Sequence, residues 1–433
     1  MLTIDQALQA ISSLPCAQHT HSRTLSEALN HRVARPVLSN FPLPRWPQSA
    51  MDGYAVRFED VSQGITLPVV DHIPAGVWPE RQLMPKEAAR IFTGAPLPPS
   101  ADTVILQENC EAISLSDLSS GLSPVASPPF GWVKINHDAL LGEHVRQQGE
   151  EVGRGVEIAS IGDLVTPGLI GLCAAQGHSQ IGVFAPPQVT IIETGDELKP
   201  LDQRLKGAEI YATNGITLAA MLEYSSARLH SQARCEDEPS QVARQIRTAL
   251  EGGSDLVITT GGVSVGDHDP LHRALELLRA ERHFWRVKMK PGKPVSAATI
   301  LHQGSRRTLL SLPGNPVSAV VSYLLFVHPL LQRAAGVPSS ELGLQRLQCQ
   351  LLHPIEKHHQ RAEFLRVRVL PQVHGSLPLC ELTGGQSSAW ISSVMRADGL
   401  LALPAEPTTL NAGSEVEVAL FPWAGGLPVR ATY

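Results

Sequence analysis

The sequence predicts a multidomain α+β fold: a doubly wound α/β domain beyond residue 187, β-rich segments on both sides of it, and a helix at the start. Three observations carry this reading. From Pro187 to about Ala335, buried-strand runs alternate with helical runs, the pattern of parallel βαβ units. Between Met51 and Asn136, short apolar runs lie between Gly, Pro and Ser punctuation, as in a small all-β unit. Short strand-like runs return in the last hundred residues, which predicts a β-barrel or sandwich there.

Residues Thr3 to Leu14 place Ile4, Leu8, Ile11 and Leu14 on one helical stripe, with Thr3 as N-cap. A second helix is expected from about Leu25. Pro36, Pro42, Pro44 and Pro47 then exclude regular helix. The β-like runs that follow are "YAVRF", "LPVVDHI", "ARIFTG", "DTVILQE" and "WVKIN". Before the last of these, "ISLSDLSSGLSPVASPPFG" is Ser/Pro-rich and reads as a mobile loop. "HVRQQGEEVGRGVEI" leads to a helix expected after Pro167. Beyond Pro187, "VTIIE", "DLVITTGG" and "TLLSLPGN" read as strands. "GITLAAMLEYS", "QVARQIRTALEG", "LHRALELLRA" and "SAVVSYLLFVHPLLQ" read as helices. "EFLRVRV", "GLLALP" and "SEVEVALF" are strands of the final part.

Composition narrows the function. A chain of 433 residues suggests about three domains. With 43% apolar and 18% charged residues it has material for several cores. A net charge of -6 gives no electrostatic case for nucleic acid. The six cysteines form no CxxC and lie far apart in sequence, which reads as reduced thiols. The N-terminus lacks a basic n-region, and no apolar run reaches the length of a membrane span. The expectation is a cytoplasmic protein with no membrane and no nucleic-acid partner.

Ligands of open parallel sheets bind beyond the carboxyl ends of the strands, and three motifs fall there. "VTIIETGDEL" ends a strand and offers Glu197; a turn with an N-cap is the plainer reading. In "DLVITTGGVSVGDHD", Gly261 and Gly262 free the backbone for close approach and Ser264 adds a hydroxyl. Asp267 and Asp269 stand two apart, where both reach one hard cation. In "LPGNPVSAV", Gly314, Asn315 and Pro316 suit a helix start with Asn315 as N-cap, whose N–H groups can hold an anion; an ordinary helix start competes. The chain has eight lysines, and Lys288, Lys290 and Lys293 fall within six residues in "HFWRVKMKPGKP", beside Arg282 and Arg286. A solvated charge run is the usual reading, but glycine loops adjoin this one, which favours a bound phosphate or metal oxyanion. Further acidic turns are "SAMDGYAV", with Asp52, and "CEDEP", with Asp237. The residues alone imply a nucleotide- or phosphate-handling enzyme.

Together these motifs resemble one family over nearly the whole chain: the molybdopterin molybdenumtransferases, including MoeA and the E domain of gephyrin. "SAMDGYAV", "RIFTGAPLP", "ADTVILQE", "VRQQGEEV", "TGDEL", "TNG", "TTGGVSVGDHD", "MKPGKP" and "LPGNPVSA" occur in family order. The resemblance implies insertion of molybdenum from molybdate into adenylylated molybdopterin, with release of AMP and assistance from Mg2+. It implies an elongated domain I (1–45 and 142–178), an inserted β domain II (46–141), a molybdopterin-binding α/β domain III (179–335) and a β-barrel domain IV (336–433). It implies a homodimer whose site joins domain III of one copy to domains I and II of the other. Contact with the molybdopterin adenylyltransferase and with recipient molybdoenzymes follows from the same likeness.

Residue by residue, the resemblance makes Asp52, Thr93, Glu197, Asp237 and Asp269 catalytic. Asp267, Asp269 and Glu197 would hold the metal. Gly261, Gly262, Ser264, Arg286, Lys290, Lys293, Gly314, Asn315, Pro316 and Ser388 would bind substrate. The chain also departs from the family. Arg286 stands where lysine is common, Ala212 of "YATNG" where an acidic residue is usual, and Glu151 where aspartate is usual. Ser387 and Ser388 of "GGQSSAW" fall where the family places a hydroxyl near the ligand, although an exposed loop reads as well. Two other functions compete: a molybdopterin adenylyltransferase, and a non-catalytic molybdopterin-binding scaffold.

Overall fold

The computed structural model describes residues 1–113, 128–262, 270–370 and 377–424. Residues 114–127 of the Ser/Pro-rich stretch expected as a loop, and Ser264, Asp267 and Asp269, lie outside them. The chain forms two compact units. One comprises Pro36–Ser160 and Pro167–Ser179; the other comprises Met1–Arg35, Ile161–Thr166 and Gln180–Tyr433.

The smaller unit is built on a six-stranded sheet in the order Thr103–Leu106, Gly53–Val56, Ala88–Ile91, Thr66–Ile73, Trp132–Ile135, Cys110–Ile113. Each of the five expected β-like runs supplies one strand. Tyr54, Val56, Leu67, Val69, Ile105, Val133 and Ile135 pack on one another. A second cluster holds Ala55, Ile73, Leu83, Ala89, Ile91 and Val104. Helix Pro167–Ala175 follows Pro167 as the sequence predicts.

The larger unit begins with helix Ile4–Ser13. Thr3 caps it in a reciprocal capping box with Gln6, and Ala7, Ile11 and Leu14 enter the core. The expected second helix from Leu25 does not form. Strand Thr20–Thr24 instead pairs antiparallel with Gln180–Phe184, and turns follow, with Asn30 at a φ of 65°. Tertiary strand pairing overrides a short segment's weak helical pattern.

The α/β sheet has the order Arg228–Cys235, Gln188–Thr194, Leu256–Thr260, Ser305–Leu312, Ser296–His302, Glu281–Trp285. The first four strands are parallel, Ser296–His302 runs antiparallel to Ser305–Leu312, and Glu281–Trp285 runs antiparallel to Ser296–His302. The sheet is therefore mixed where the sequence predicts only parallel strands. Arg228–Cys235 escapes pattern reading because it is a largely exposed edge strand. Strands Ala362–Leu370, Leu379–Leu382, Arg346–Leu351, Glu415–Leu420 and Gly399–Leu403 close into a five-stranded barrel, since the first also pairs with the last. Met289–Lys290, inside the basic run, adds to Ala362–Leu370.

The long apolar helix is present as Pro316–Ser322, a π turn at Tyr323–Val327, and His328–Ala334. Pro329 has no N–H to give and its ring crowds the carbonyl four residues back, so a wider turn absorbs it. The run Pro316–Ala334 has the length and hydropathy of a membrane span, contrary to expectation, but most of its residues are buried in the core.

At the π turn, Ser225 Oγ lies 2.7 Å from Tyr323 Oη and 2.8 Å from His328 Nδ1. Burial pushes His328 down to about 4. An unfolded histidine takes up its proton below about pH 6.5. The folded one stays neutral until pH falls to about 4. The unfolded state therefore binds more protons in that window. Stability from His328 is complete above the unfolded value and is lost as pH falls, by about 2 kcal/mol at pH 5. Urea unfolding at pH 7 and pH 5 should show that loss in the wild type and a clearly smaller one in His328→Gln. Equal pH dependence in both would remove His328 from the account.

Candidate functional site

Beyond the carboxyl ends of the parallel strands lies a cavity of about 820 Å³. Its walls are Thr194, which ends one strand, and Glu197 beyond it, Thr260 to Gly262 at the end of the next, Pro313 to Pro316 after the third, and Thr213 and Asn214 opening helix Asn214–Leu222. Gly261 has a φ of +88°, and a Cβ there would lie 2.1 Å from the Thr194 carbonyl oxygen. Glycine is required for the two strand ends to meet. Asn214 Nδ2 donates to Thr260 Oγ1 at 2.9 Å and to the Gly314 carbonyl at 2.7 Å. One amide thus ties three segments of the rim.

The acidic wall is Glu197 with Asp237, and Glu193 stands buried behind them in the same lining. The Asp237 N–H donates to Asp196 Oδ1 at 3.1 Å. Burial raises the Asp237 carboxyl above the ordinary aspartate value. The Thr194 hydroxyl opposes this, and the charges of Asp196 and Glu197 add to it. Crowded carboxylates of this kind are hard oxygen donors, and Mg2+ takes one or two such groups alongside its own water and a substrate's phosphates. Among the described residues, no three His, Cys, Asp or Glu side chains converge on one point.

A second cavity of about 600 Å³ shares Pro294 and Asn315 with the first. Lys290, Lys293 and Arg361 line it, with Ser318, Gln386, Ser387 and Ser388. Lys290 Nζ lies 2.8 Å from Glu363 Oε1, and His359 Nε2 lies 2.9 Å from Oε2 of the same buried carboxylate. Arg366, 1% exposed, donates from Nη2 to the Ser387 carbonyl and from Nε to Ser393 Oγ, holding the serine loop against the barrel.

The helix start between the two cavities departs from the sequence expectation. Asn315 occupies the N-cap position, but its side chain makes no cap bond. Its Nδ2 reaches Ser388 Oγ at 3.3 Å instead. Pro316 has no N–H, the Val317 N–H goes to the Ser388 carbonyl at 3.1 Å, and the Ala319 N–H goes to the Asn315 carbonyl at 3.0 Å. Fewer donors remain for an anion than the motif implies.

In the smaller unit, Asp52 Oδ1 accepts both the N–H and the Oγ1–H of Thr93, each at 2.8 Å. These bonds, the backbone one first, hold the Asp52 carboxyl below the ordinary aspartate range. It is ionised at neutral pH.

Of the sequence-derived residues, Glu197, Asp237, Gly261, Gly262, Gly314, Asn315 and Pro316 line the first cavity. Lys290, Lys293, Asn315 and Ser388 line the second. Arg286 lines neither; its guanidinium stacks 4.0 Å from the centre of the Trp285 ring. Asp52 and Thr93 pair with each other. Sequence reasoning missed Glu193, Arg361 and Glu363. Asn214 was visible only as part of "TNG".

A doubly wound domain whose Gly-rich strand ends open on adjoining acidic and basic cavities, followed by a closed barrel, defines a multidomain protein with a two-part polar site. Residues 2–177 match the MoeA N-terminal region (domain I and II), 190–333 the probable molybdopterin binding domain, and 348–421 the MoeA C-terminal region (domain IV). The chain is 32% identical to the molybdopterin molybdenumtransferase of a Nostoc species, over 95% of this chain and 91% of that one. It is 30% identical to the enzyme of that name from Haemophilus influenzae, over 97% and 99%. Among solved structures, the molybdopterin biosynthesis MoeA protein of Pyrococcus horikosii has a TM-score of 0.79 at 27% identity, over 97% and 99% of the two chains. The chain belongs to the molybdopterin molybdenumtransferase family.

Proposed function

We propose that the chain is a transferase of molybdenum cofactor biosynthesis that inserts molybdenum from molybdate into adenylylated molybdopterin and releases AMP. The observation that carries this reading is the pair of adjoining cavities with shared walls: one carboxylate-lined and large enough for a nucleotide-bearing pterin, the other lined by three cations. Lys290, Lys293 and Arg361 would bind molybdate as an oxyanion. Glycines 261 and 262 would let the phosphoanhydride approach the backbone. Glu197 and Asp237 would hold Mg2+, whose chemistry when bound is to neutralise charge developing on the phosphoanhydride. Asp52, ionised and fixed by Thr93, would orient a water or a cation-bound group.

The family likeness further supports a homodimer in which Asp52 and Thr93 serve a second copy's cavities. The six free cysteines suit a reducing cytoplasm. Contacts with the adenylyltransferase that makes the substrate, and with recipient molybdoenzymes, belong to the same reading. AMP release from adenylylated molybdopterin, measured with and without molybdate, tests it. Release that depends on molybdate is expected, from a species of twice the chain mass by light scattering. ATP-dependent adenylylation would favour the sister activity, and binding without turnover would favour a scaffold.

A further inference from the structure

Glu193 is a carboxylate at the end of a central strand, 3% exposed, in the wall of the larger cavity. Its Oε1 accepts the Gly215 N–H at 2.8 Å, and its Oε2 accepts from Gln232 Nε2 at 3.1 Å. Both donors are neutral. A buried carboxylate is tolerated only when its oxygens are hydrogen-bonded. Here the N-terminus of helix Asn214–Leu222 supplies one donor and the favourable end of its dipole. The helix has no cap of its own: Thr213 holds the N-cap position without a side-chain cap bond. Position 212, next to the N-cap residue, is a buried alanine and offers the helix start no side-chain oxygen.

We propose that Glu193 is a positioning residue: its strand-borne carboxylate caps this helix in the role that an acidic side chain at position 212 would otherwise fill, and thereby fixes Asn214 across the rim of the cavity. Asn214 is the first residue of the helix, and its amide spans Thr260 Oγ1 and the Gly314 carbonyl. If the first turn frays, that bridge is lost and the strand ends it joins are freed. The geometry is committed to this arrangement. A Cβ on residue 215 would stand 2.4 Å from Glu193 Oε2 and 2.3 Å from Gln232 Nε2, so glycine is needed under the carboxylate.

The catalytic arm of the test rests on the function proposed above; the exchange arm does not. Full-length wild type, Glu193→Gln, Glu193→Ala, Ala212→Asp and the double variant Glu193→Ala with Ala212→Asp are compared. Hydrogen exchange is followed in the peptide covering residues 210–222, and kcat and KM are measured for AMP release. Glu193→Ala is expected to lose protection in that peptide and to raise KM for adenylylated molybdopterin about tenfold, the scale of one lost charge-assisted hydrogen bond, with kcat changing less. Glu193→Gln keeps the volume and should fall between. Ala212→Asp alone places two carboxylates at one helix start and should be worse than the double variant, which recovers protection and KM to within about threefold of wild type. Such sign-reversing rescue is not produced by a merely structural glutamate. Unchanged protection in Glu193→Ala overturns the proposal, and so does failure of the double variant to recover it. If exchange behaves as expected while wild type releases no AMP, the capping role stands and the proposed substrate falls.

Discussion

Asp52→Asn is expected to lower molybdate-dependent AMP release by about 10²–10⁴, the range for loss of a positioned acid or base, with the fold intact. The carboxylate is accessible, ionised, and held by two donors from one residue, both onto Oδ1. Nothing in that arrangement builds a core, so stability gives no reason for it. Asparagine keeps the size and can still accept from Thr93, but it neither takes a proton nor binds a cation strongly. Thr93→Val keeps the charge, removes one of the two bonds, and should be milder. Because the Thr93 bonds depress the Asp52 pKa, the group stays ionised well into acid, and the acid limb of its contribution lies below the ordinary aspartate range. Steady-state rates with near-UV circular dichroism check this. A fully active Asp52→Asn enzyme would exclude the carboxylate from the chemistry.

Lys290→Ala should lower turnover by about 10²–10³, the cost of removing one donor that serves developing charge, and the loss should appear in the molybdate response more than in pterin binding. The structure adds a complication that the sequence hides. Lys290 pairs with Glu363, whose side chain is 8% exposed. Removing the lysine alone strands a buried carboxylate, which is destabilising in itself. Lys290→Met with Glu363→Gln removes both charges and separates the two effects: stability should recover while the molybdate defect remains. Arg286→Lys should be mild, because Arg286 lines neither cavity and stacks on Trp285. If Lys290→Ala retains the wild-type dependence on molybdate and loses pterin affinity, the basic cavity is a phosphate clamp for the pterin.

Local pattern made much of this legible. Thr3 announced itself as an N-cap, and the alternation after Pro187 announced the α/β domain, because both signals arise within a few residues of chain. The same reading misplaced a helix at Leu25, where pairing with Gln180–Phe184 decides. It missed the exposed edge strand Arg228–Cys235, where burial imposes no apolar pattern.

The sequence by itself determined which chemistry the chain carries: acidic turns after buried strands, glycines where backbones must meet, a concentration of lysines in a short run, and nine motifs in family order. Only the tertiary structure decided which of those groups meet and what each one spends its bonds on. Asn315 turned from a helix cap into a partner of Ser388, Lys290 acquired Glu363 from the barrel, and Glu193 took over a cap that position 212 does not supply. The physical reason is common to all three. A hydrogen bond or ion pair between residues 22 or 73 positions apart depends on how strands register and barrels close, and local sequence does not encode those distances.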